Sequence, residues 1–264
     1  MSHPIGVFDS GVGGISVLIE IRKALPEEDL IYFADSGYCP YGTKPETEIL
    51  DRVLKITGFL LKQGVKAIVI ACNAASTAGL DGIRKQYPQL PVIGIEPAVK
   101  PACLTTKNGK IGVLSTSLTL QGNRFSTLVE KYGKNIEVFT RPATGLADLV
   151  EAGELDTIVT RDLLNSYLKP LIIQGIDTLL LGCTHYPFVK PVIQDICGAG
   201  IRIIDNGAAV AGQLVRILEE RGLRENNRNK GEVIFYTSGV SEVVSKVMGK
   251  LWPEPVYQVF EVEL

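Results

Sequence analysis

Ile68-Val69-Ile70-Ala71-Cys72-Asn73 and Leu179-Leu180-Leu181-Gly182-Cys183-Thr184 carry one pattern twice: an apolar run without alternation, a small residue, a cysteine, then a polar residue. The two cysteines lie 111 residues apart. A short run of Ile, Val and Leu with no polar residue between them reads as a parallel strand covered on both faces. The pattern extends outward from this pair. Ile5-Gly6-Val7-Phe8-Asp9-Ser10 resembles Ile111-Gly112-Val113-Leu114-Ser115-Thr116 at an offset of 106, and Pro91-Val92-Ile93-Gly94-Ile95 resembles Ile201-Arg202-Ile203-Ile204-Asp205 at 110. Three near-equal offsets in the same order indicate two copies of one unit. Any two parallel strands look alike, but matched order and a polar residue closing each run outweigh that reading.

Further runs of the same kind are Leu30–Phe33 and Ile136–Phe139. Between the runs lie amphipathic stretches that predict helices: Glu46–Lys62, Thr119–Tyr132, Asp156–Ile173 and Ala208–Arg221. Strand alternating with helix predicts an α/β fold with parallel sheets. The second copy reads as an insertion in the first. After Ala208–Arg221 come a polar stretch, Arg224–Gly231, expected as a surface loop, and two apolar runs, Val233–Tyr236 and Val256–Phe260. The expected domains are therefore 1–97 with 207–264, and 98–206. They are expected to be two similar α/β domains related by a pseudo-two-fold axis, with the active site in the cleft between them.

The bulk numbers exclude several classes. The chain has 264 residues, 45% hydrophobic and 21% charged, with a formal net charge of −2 at pH 7. That composition is globular, and no basic run argues for nucleic acid. No apolar run reaches the roughly 18 residues of a membrane span, and the opening Met1-Ser2-His3-Pro4 does not read as a secretory signal. A cytoplasmic protein is expected. Five cysteines at irregular spacing (Cys39, Cys72, Cys103, Cys183, Cys197) are expected as free thiols there.

In open α/β sheets ligands bind beyond the carboxyl ends of the strands. The residues to examine are therefore Asp9-Ser10, Asp35-Ser36, Cys72-Asn73, Ser115-Thr116 and Cys183-Thr184-His185. With two similar units facing each other, Cys72 and Cys183 occupy equivalent places on opposite walls. Stereoinversion at carbon needs a base on one face and an acid on the other, and a thiolate with a thiol meets that need. Both cysteines precede an expected helix start, where the dipole favours a thiolate. His185 and Asp9 stand ready to relay or tune a proton. Most free cysteines are buried and inert, and that reading is kept for Cys39, Cys103 and Cys197. His3 is expected in a mobile terminus. A metal site at Cys183-Thr184-His185 lacks a Cys-x-x-Cys pair and a second strand-end histidine, so no metal is expected. Gly11-Val12-Gly13-Gly14 lacks the full dinucleotide spacing; a turn offering N–H groups to a small anion fits it better. Pro40-Tyr41-Gly42 reads equally as a plain turn or as a source of backbone donors and an aromatic wall.

Taken together, Phe8-Asp9-Ser10-Gly11-Val12-Gly13-Gly14, Pro40-Tyr41-Gly42, Ala71-Cys72-Asn73 and Leu181-Gly182-Cys183-Thr184-His185-Tyr186-Pro187 resemble the glutamate racemases of the aspartate/glutamate racemase superfamily. Gly94-Ile95-Glu96-Pro97-Ala98 and Ile204-Asp205 fit as well, so the resemblance runs from about Ile5 to Ala209. It implies cofactor-free interconversion of L- and D-glutamate, without pyridoxal phosphate, metal or nucleotide, supplying D-glutamate for peptidoglycan and so for cell wall and cell shape. Cys72 and Cys183 match the catalytic pair. Substrate contacts carry over to Asp9, Ser10, Tyr41, Gly42, Asn73, Thr184 and His185. Thr116 and Thr119 match substrate-binding hydroxyls, and Glu151 matches a carboxylate beside the histidine. Domain closure and a homodimer are implied too. So is independence from the cell-wall-precursor activator used by members with a long N-terminal extension.

The sequence departs from the family at Ala74, where a substrate-shell threonine is usual, and at Ser115 and Leu118, where glycine is usual. These changes bear on substrate preference more than on reaction type. Two rival functions remain at this level: the same reaction on aspartate, and a non-catalytic small-molecule binder built from two lobes.

Overall fold

A computed structural model describes residues 3–225, 229–256 and 258–264. The chain forms two compact units, Met1–Ile95 with Gly207–Leu264, and Glu96–Asn206. The first contains β1 (Ile5–Asp9), α1 (Ile15–Ala24), β2 (Leu30–Ala34), α2 (Glu46–Lys62), β3 (Ala67–Ile70), α3 (Asn73–Gln86) and β4 (Val92–Gly94). The second contains α4 (Val99–Thr105), β5 (Lys110–Ser115), α5 (Ser117–Gln121), α6 (Asn123–Tyr132), β6 (Glu137–Pro142), α7 (Leu146–Glu151), α8 (Ile158–Ile173), β7 (Thr178–Gly182), α9 (Lys190–Cys197) and β8 (Arg202–Ile204). The chain then returns to the first unit as α10 (Gly207–Glu220), β9 (Val233–Thr237), α11 (Ser241–Leu251) and β10 (Val259–Glu261). There α10 lies against α1.

The sheets repeat one topology. The first has strand order β10-β9-β2-β1-β3-β4 and the second β6-β5-β7-β8. Stripped of β9 and β10, the first order maps onto the second strand by strand. All pairings are parallel. Ile5 pairs with Ala67 in one sheet and Ile111 with Thr178 in the other, the partners the sequence offsets require.

The absence of alternation follows from burial on both faces. In the second unit, Leu179 and Leu181 of β7 join one apolar cluster with Leu146, Leu164 and Leu168. Leu180 joins another with Ile111, Val113, Ala102 and Phe125. Each fully buried leucine contributes roughly 1.5–3 kcal/mol. On α2, the buried Ile49, Val53, Ile56 and Leu60 recur every three or four residues. Glu46 and Glu48 stand in its first turn and Lys62 in its last, complementing the helix dipole.

Several expectations need correction. Ile136–Phe139 does not form a doubly buried strand: β6 is an edge, and Glu137 and Thr140–Pro142 are exposed. Thr119–Tyr132 is two helices, because Gly122 adopts extended backbone (φ −68°, ψ 138°) between α5 and α6. Helix α8 starts at Ile158, two residues later than read, where the Thr157 hydroxyl caps it by accepting the Thr160 N–H at 3.3 Å. The last strand is Val259–Glu261; Tyr257 of the expected run, and Asn226–Arg228 of the expected loop, lie outside the described residues. His3 is tied down, its Nδ1 3.0 Å from the Gly64 carbonyl oxygen. Among the described residues no helix is long and apolar enough to cross a membrane.

Asp177, just before β7, anchors the turn that leads into β5. Its carboxylate accepts the Thr106 hydroxyl (2.6 Å), the Lys107 and Asn108 N–H groups (2.6 and 2.8 Å) and the Thr178 hydroxyl (3.0 Å). Burial alone would raise this carboxyl, but the hydrogen bonds outweigh it and hold it at about 2. A lowered carboxyl contributes stability above its unfolded value near 4 and loses it as pH falls toward 2. Asp177→Asn is expected to cost about 1–2 kcal/mol at pH 6, after allowance for partial exposure. Urea unfolding of both proteins at pH 6 and pH 2.5 checks this: the difference must shrink at the lower pH.

Candidate active site

Strands β1 and β3 end side by side and bring Asp9 and Ser10 to Cys72. The register of β1 on β3 continues past Phe8 and Ile70 through the Ala71 N–H, which donates to the Phe8 carbonyl at 2.8 Å. Cys72 is 5% exposed, and its Sγ lies 3.6 Å from Ser10 Oγ. Ser10 Oγ in turn donates to Asp9 Oδ1 at 3.3 Å. Cys72 is also the N-cap of α3, where its sulfur accepts the Ala75 N–H at 3.4 Å. An N–H donor and the positive end of a 14-residue helix both favour the thiolate. Asn73 and Ala74 follow, both buried, in the first turn of α3.

The glycine-rich turn after β1 serves packing before it serves any ligand. The Gly11 N–H donates to Asp9 Oδ1 at 3.0 Å, and the Gly11 carbonyl accepts the Tyr32 hydroxyl at 2.7 Å. The Gly11 N–H is thus spent internally rather than offered to an anion. At Gly14 a Cβ would lie 2.6 Å from Asp9 Cβ and 2.8 Å from the Tyr32 hydroxyl, so only glycine permits this approach of α1 to Asp9.

Tyr41 and Gly42 sit in a 3₁₀ turn, Tyr41–Thr43, between β2 and α2. Tyr41 is buried and Gly42 half-buried. The Tyr41 hydroxyl donates to Asp35 Oδ2. Burial foremost, then the charges of Asp35 and Cys72, push its proton loss far above the ordinary tyrosine range. Tyr41 is therefore a fixed hydrogen-bond donor to Asp35.

In the second unit β5 and β7 end side by side in the same manner. Ser115 pairs with Gly182, and the Ser115 hydroxyl donates to the Gly182 carbonyl at 2.8 Å. Thr116 and Cys183 therefore start from adjacent strand ends, as Ser10 and Cys72 do in the first unit. Thr116 caps α5, and its hydroxyl lies 3.0 Å from that of buried Thr119. Cys183 is 9% exposed, and its Sγ lies 3.5 Å from His185 Nδ1. His185 Nε2 lies 2.6 Å from Glu151 Oε1. An ionised Glu151 accepts from Nε2, and in the neutral imidazole this leaves Nδ1 as the acceptor facing the thiol. Thr184 is buried beside them.

The expected α-helix start after Cys183 is absent. A 3₁₀ turn, Tyr186–Val189, intervenes before α9, with Pro187 in its first turn. Cys183 is thus flanked by His185 and, through it, Glu151, whereas Cys72 caps a helix. The remaining thiols are half-buried. Burial pushes Cys197 up to about 11 and raises Cys103, so both stay protonated at neutral pH.

Sequence reasoning missed Arg52. It is 3% exposed and forms a two-armed ion pair with Asp35, Nε to Oδ2 at 3.0 Å and Nη2 to Oδ1 at 2.6 Å. Its signal was present: an arginine three residues after Ile49 and four before Ile56 occupies the apolar face of α2.

The profile of the family described as Asp/Glu/Hydantoin racemase matches residues 5–214. A glutamate racemase of Pseudomonas entomophila is 48% identical over 251 residues, covering 95% of this chain and 94% of that one. A glutamate racemase of Bacillus anthracis (isoform RacE1) superposes with a TM-score of 0.90 at 34% identity, covering 99% of this chain and 98% of that one. A glutamate racemase of Francisella tularensis, solved in complex with D-glutamate, gives 0.86 at 30% identity, covering 99% and 98%.

Proposed function

Because the chain belongs to the Asp/Glu/Hydantoin racemase family, we propose that it interconverts L- and D-glutamate without a cofactor, using Cys72 and Cys183 as its two proton-transfer groups. One observation carries the reaction type. Two buried thiols end the equivalent strands β3 and β7, and each touches a group suited to handle its proton: Ser10 with Asp9 for Cys72, His185 with Glu151 for Cys183. The substrate comes from the near-full-length likeness to glutamate racemases.

In the proposed reaction one cysteine, as thiolate, removes the α-proton of glutamate. The electron pair left on the α-carbon is delocalised into the α-carboxylate. The other cysteine, as thiol, returns a proton to the opposite face. The resemblance assigns Cys72 to D-glutamate and Cys183 to L-glutamate. Nδ1 of His185 receives the Cys183 thiol proton, and Glu151 stabilises the imidazolium so formed. Ser10, Tyr41, Gly42, Asn73, Thr116, Thr119 and Thr184 are proposed to hold the substrate, with Asp9 and His185 both binding it and tuning the thiols. Ala74 contributes no hydroxyl to that shell. The product D-glutamate is proposed to feed peptidoglycan synthesis in the cytoplasm, a reading that five free thiols support. A homodimer is proposed on the family resemblance.

The test is incubation of purified, cofactor-free protein with L-glutamate, and separately with L-aspartate, in D₂O. Circular dichroism follows inversion and NMR follows the α-deuterium. Loss of optical activity with α-deuteration is expected on glutamate. One methylene separates the substrates, so aspartate should react about 10–200-fold less efficiently. Exchange on aspartate alone would move the reaction to that substrate. Exchange on neither would leave a binding protein.

A further inference from the structure

We propose that Arg52 is a positioning residue for substrate binding, acting through Asp35 on the segment 36–43 that carries Tyr41 and Gly42. The inference rests on the reaction proposed above and adds a residue that touches no substrate.

The contacts converge on that segment. Asp35 is fully buried, and both carboxylate oxygens are shared. Oδ1 accepts Arg52 Nη2 and the Ser238 hydroxyl, each at 2.6 Å; Oδ2 accepts Arg52 Nε and the Tyr41 hydroxyl. The Asp35 N–H donates to the Asp9 carbonyl at 3.0 Å, and its carbonyl accepts the Tyr38 N–H at 2.9 Å. One aspartate thus links the end of β1, which bears Asp9, to the start and the middle of the 36–43 segment. Arg52 holds this aspartate in one orientation through both of its oxygens. Its guanidinium also lies 3.8 Å from the centre of the Tyr38 ring, and Nη1 donates to the Leu264 carbonyl at 3.2 Å. A buried carboxylate without its two-armed partner would lose its orientation, and Tyr41 would lose its anchor.

Only a planar fork can grip both carboxylate oxygens, stack on Tyr38 and reach Leu264 together. Lysine keeps the charge and loses the fork. With looser anchoring, Tyr41 and Gly42 would bind ground state and transition state less well by the same factor, which raises KM and spares kcat.

The experiment compares wild-type protein with Arg52→Lys, reading kcat and KM for both glutamate enantiomers, with the folded fraction of each measured by thermal unfolding. Arg52→Lys is expected to raise KM about tenfold in both directions, with kcat per folded molecule changed less than threefold. A purely structural role predicts the reverse: unchanged KM and an apparent kcat reduced by the unfolded fraction. That result would overturn the proposal. Should Arg52→Lys not fold, Tyr38→Leu tests the same link from an exposed side chain (41% exposed). It removes the stacking surface, and about a threefold rise in KM is expected; an unchanged KM would equally overturn the proposal. Wild-type protein that fails to racemise glutamate would defeat the functional reading itself, a separate outcome visible before any variant is compared.

Discussion

Replacement of Cys72 or of Cys183 by alanine is expected to slow racemisation of glutamate by about 10²–10⁴-fold, the scale of losing an acid–base group. The two variants should fail differently. Without Cys183, the Cys72 thiolate retains Ser10 and the helix end that support it. It can still draw the α-proton from D-glutamate and exchange it with solvent, so D-glutamate should gain deuterium in D₂O without inverting. Without Cys72, the Cys183–His185–Glu151 relay should label L-glutamate in the same one-sided way. Wild-type-like turnover in either variant would end the two-base assignment. Deuteration of both enantiomers at equal rates by one variant would end the assignment of each thiol to one face. The contrast between the supports sharpens the test. Glu151→Gln touches only the second relay, so its effect should appear in the labelling of L-glutamate first.

Asp35→Ala should produce the largest loss of stability of any single change considered, about 3–5 kcal/mol, because it strands a buried arginine. It also removes the acceptor of the Tyr41 and Ser238 hydroxyls. Urea unfolding followed by far-UV circular dichroism measures this, with Asp156→Ala as the control. Asp156 also pairs with an arginine, Nε of Arg161 at 2.5 Å, but at the exposed N-terminus of α8, where water screens the pair. A control as destabilised as Asp35→Ala would show that burial does not set the scale. Asp35→Asn should fall between the two, since an amide keeps one acceptor and adds a donor facing Arg52 or Tyr41.

The duplicated architecture was legible because its signal is periodic and local. A strand covered on both faces cannot alternate, so Ile68–Ile70 and Leu179–Leu181 announced their place, and the offset between them announced the repeat. Edges were not legible in this way. Ile136–Phe139 is as apolar as a central strand, yet β6 pairs on one side only, and nothing in four residues records how many neighbours a strand has. Of the candidate site, the strand-end residues were proposed from the rule that ligands bind beyond carboxyl ends. The backbone after Cys183 was misjudged because a 3₁₀ turn and an α-helix open with similar residues. The Asp35–Arg52 pair was missed for a further reason: its partners Ser238 and Leu264 are remote in sequence, and hydrogen bonding over that distance leaves no local pattern. Asp35 was noticed at its strand end, but only tertiary structure shows what it binds.

The contact between Ser115 and Gly182 also limits the order in which this chain can change. A Cβ on residue 182 would fall 2.5 Å from Ser115 Oγ and 2.8 Å from its Cβ, while the next atom, the Leu114 carbonyl oxygen, stands at 3.5 Å. Both close atoms vanish if residue 115 is glycine. Gly182→Ala is therefore obstructed on the present background and sterically ordinary after Ser115→Gly. The two positions are epistatic, and a lineage drifting through them has one passable route, with position 115 changing first.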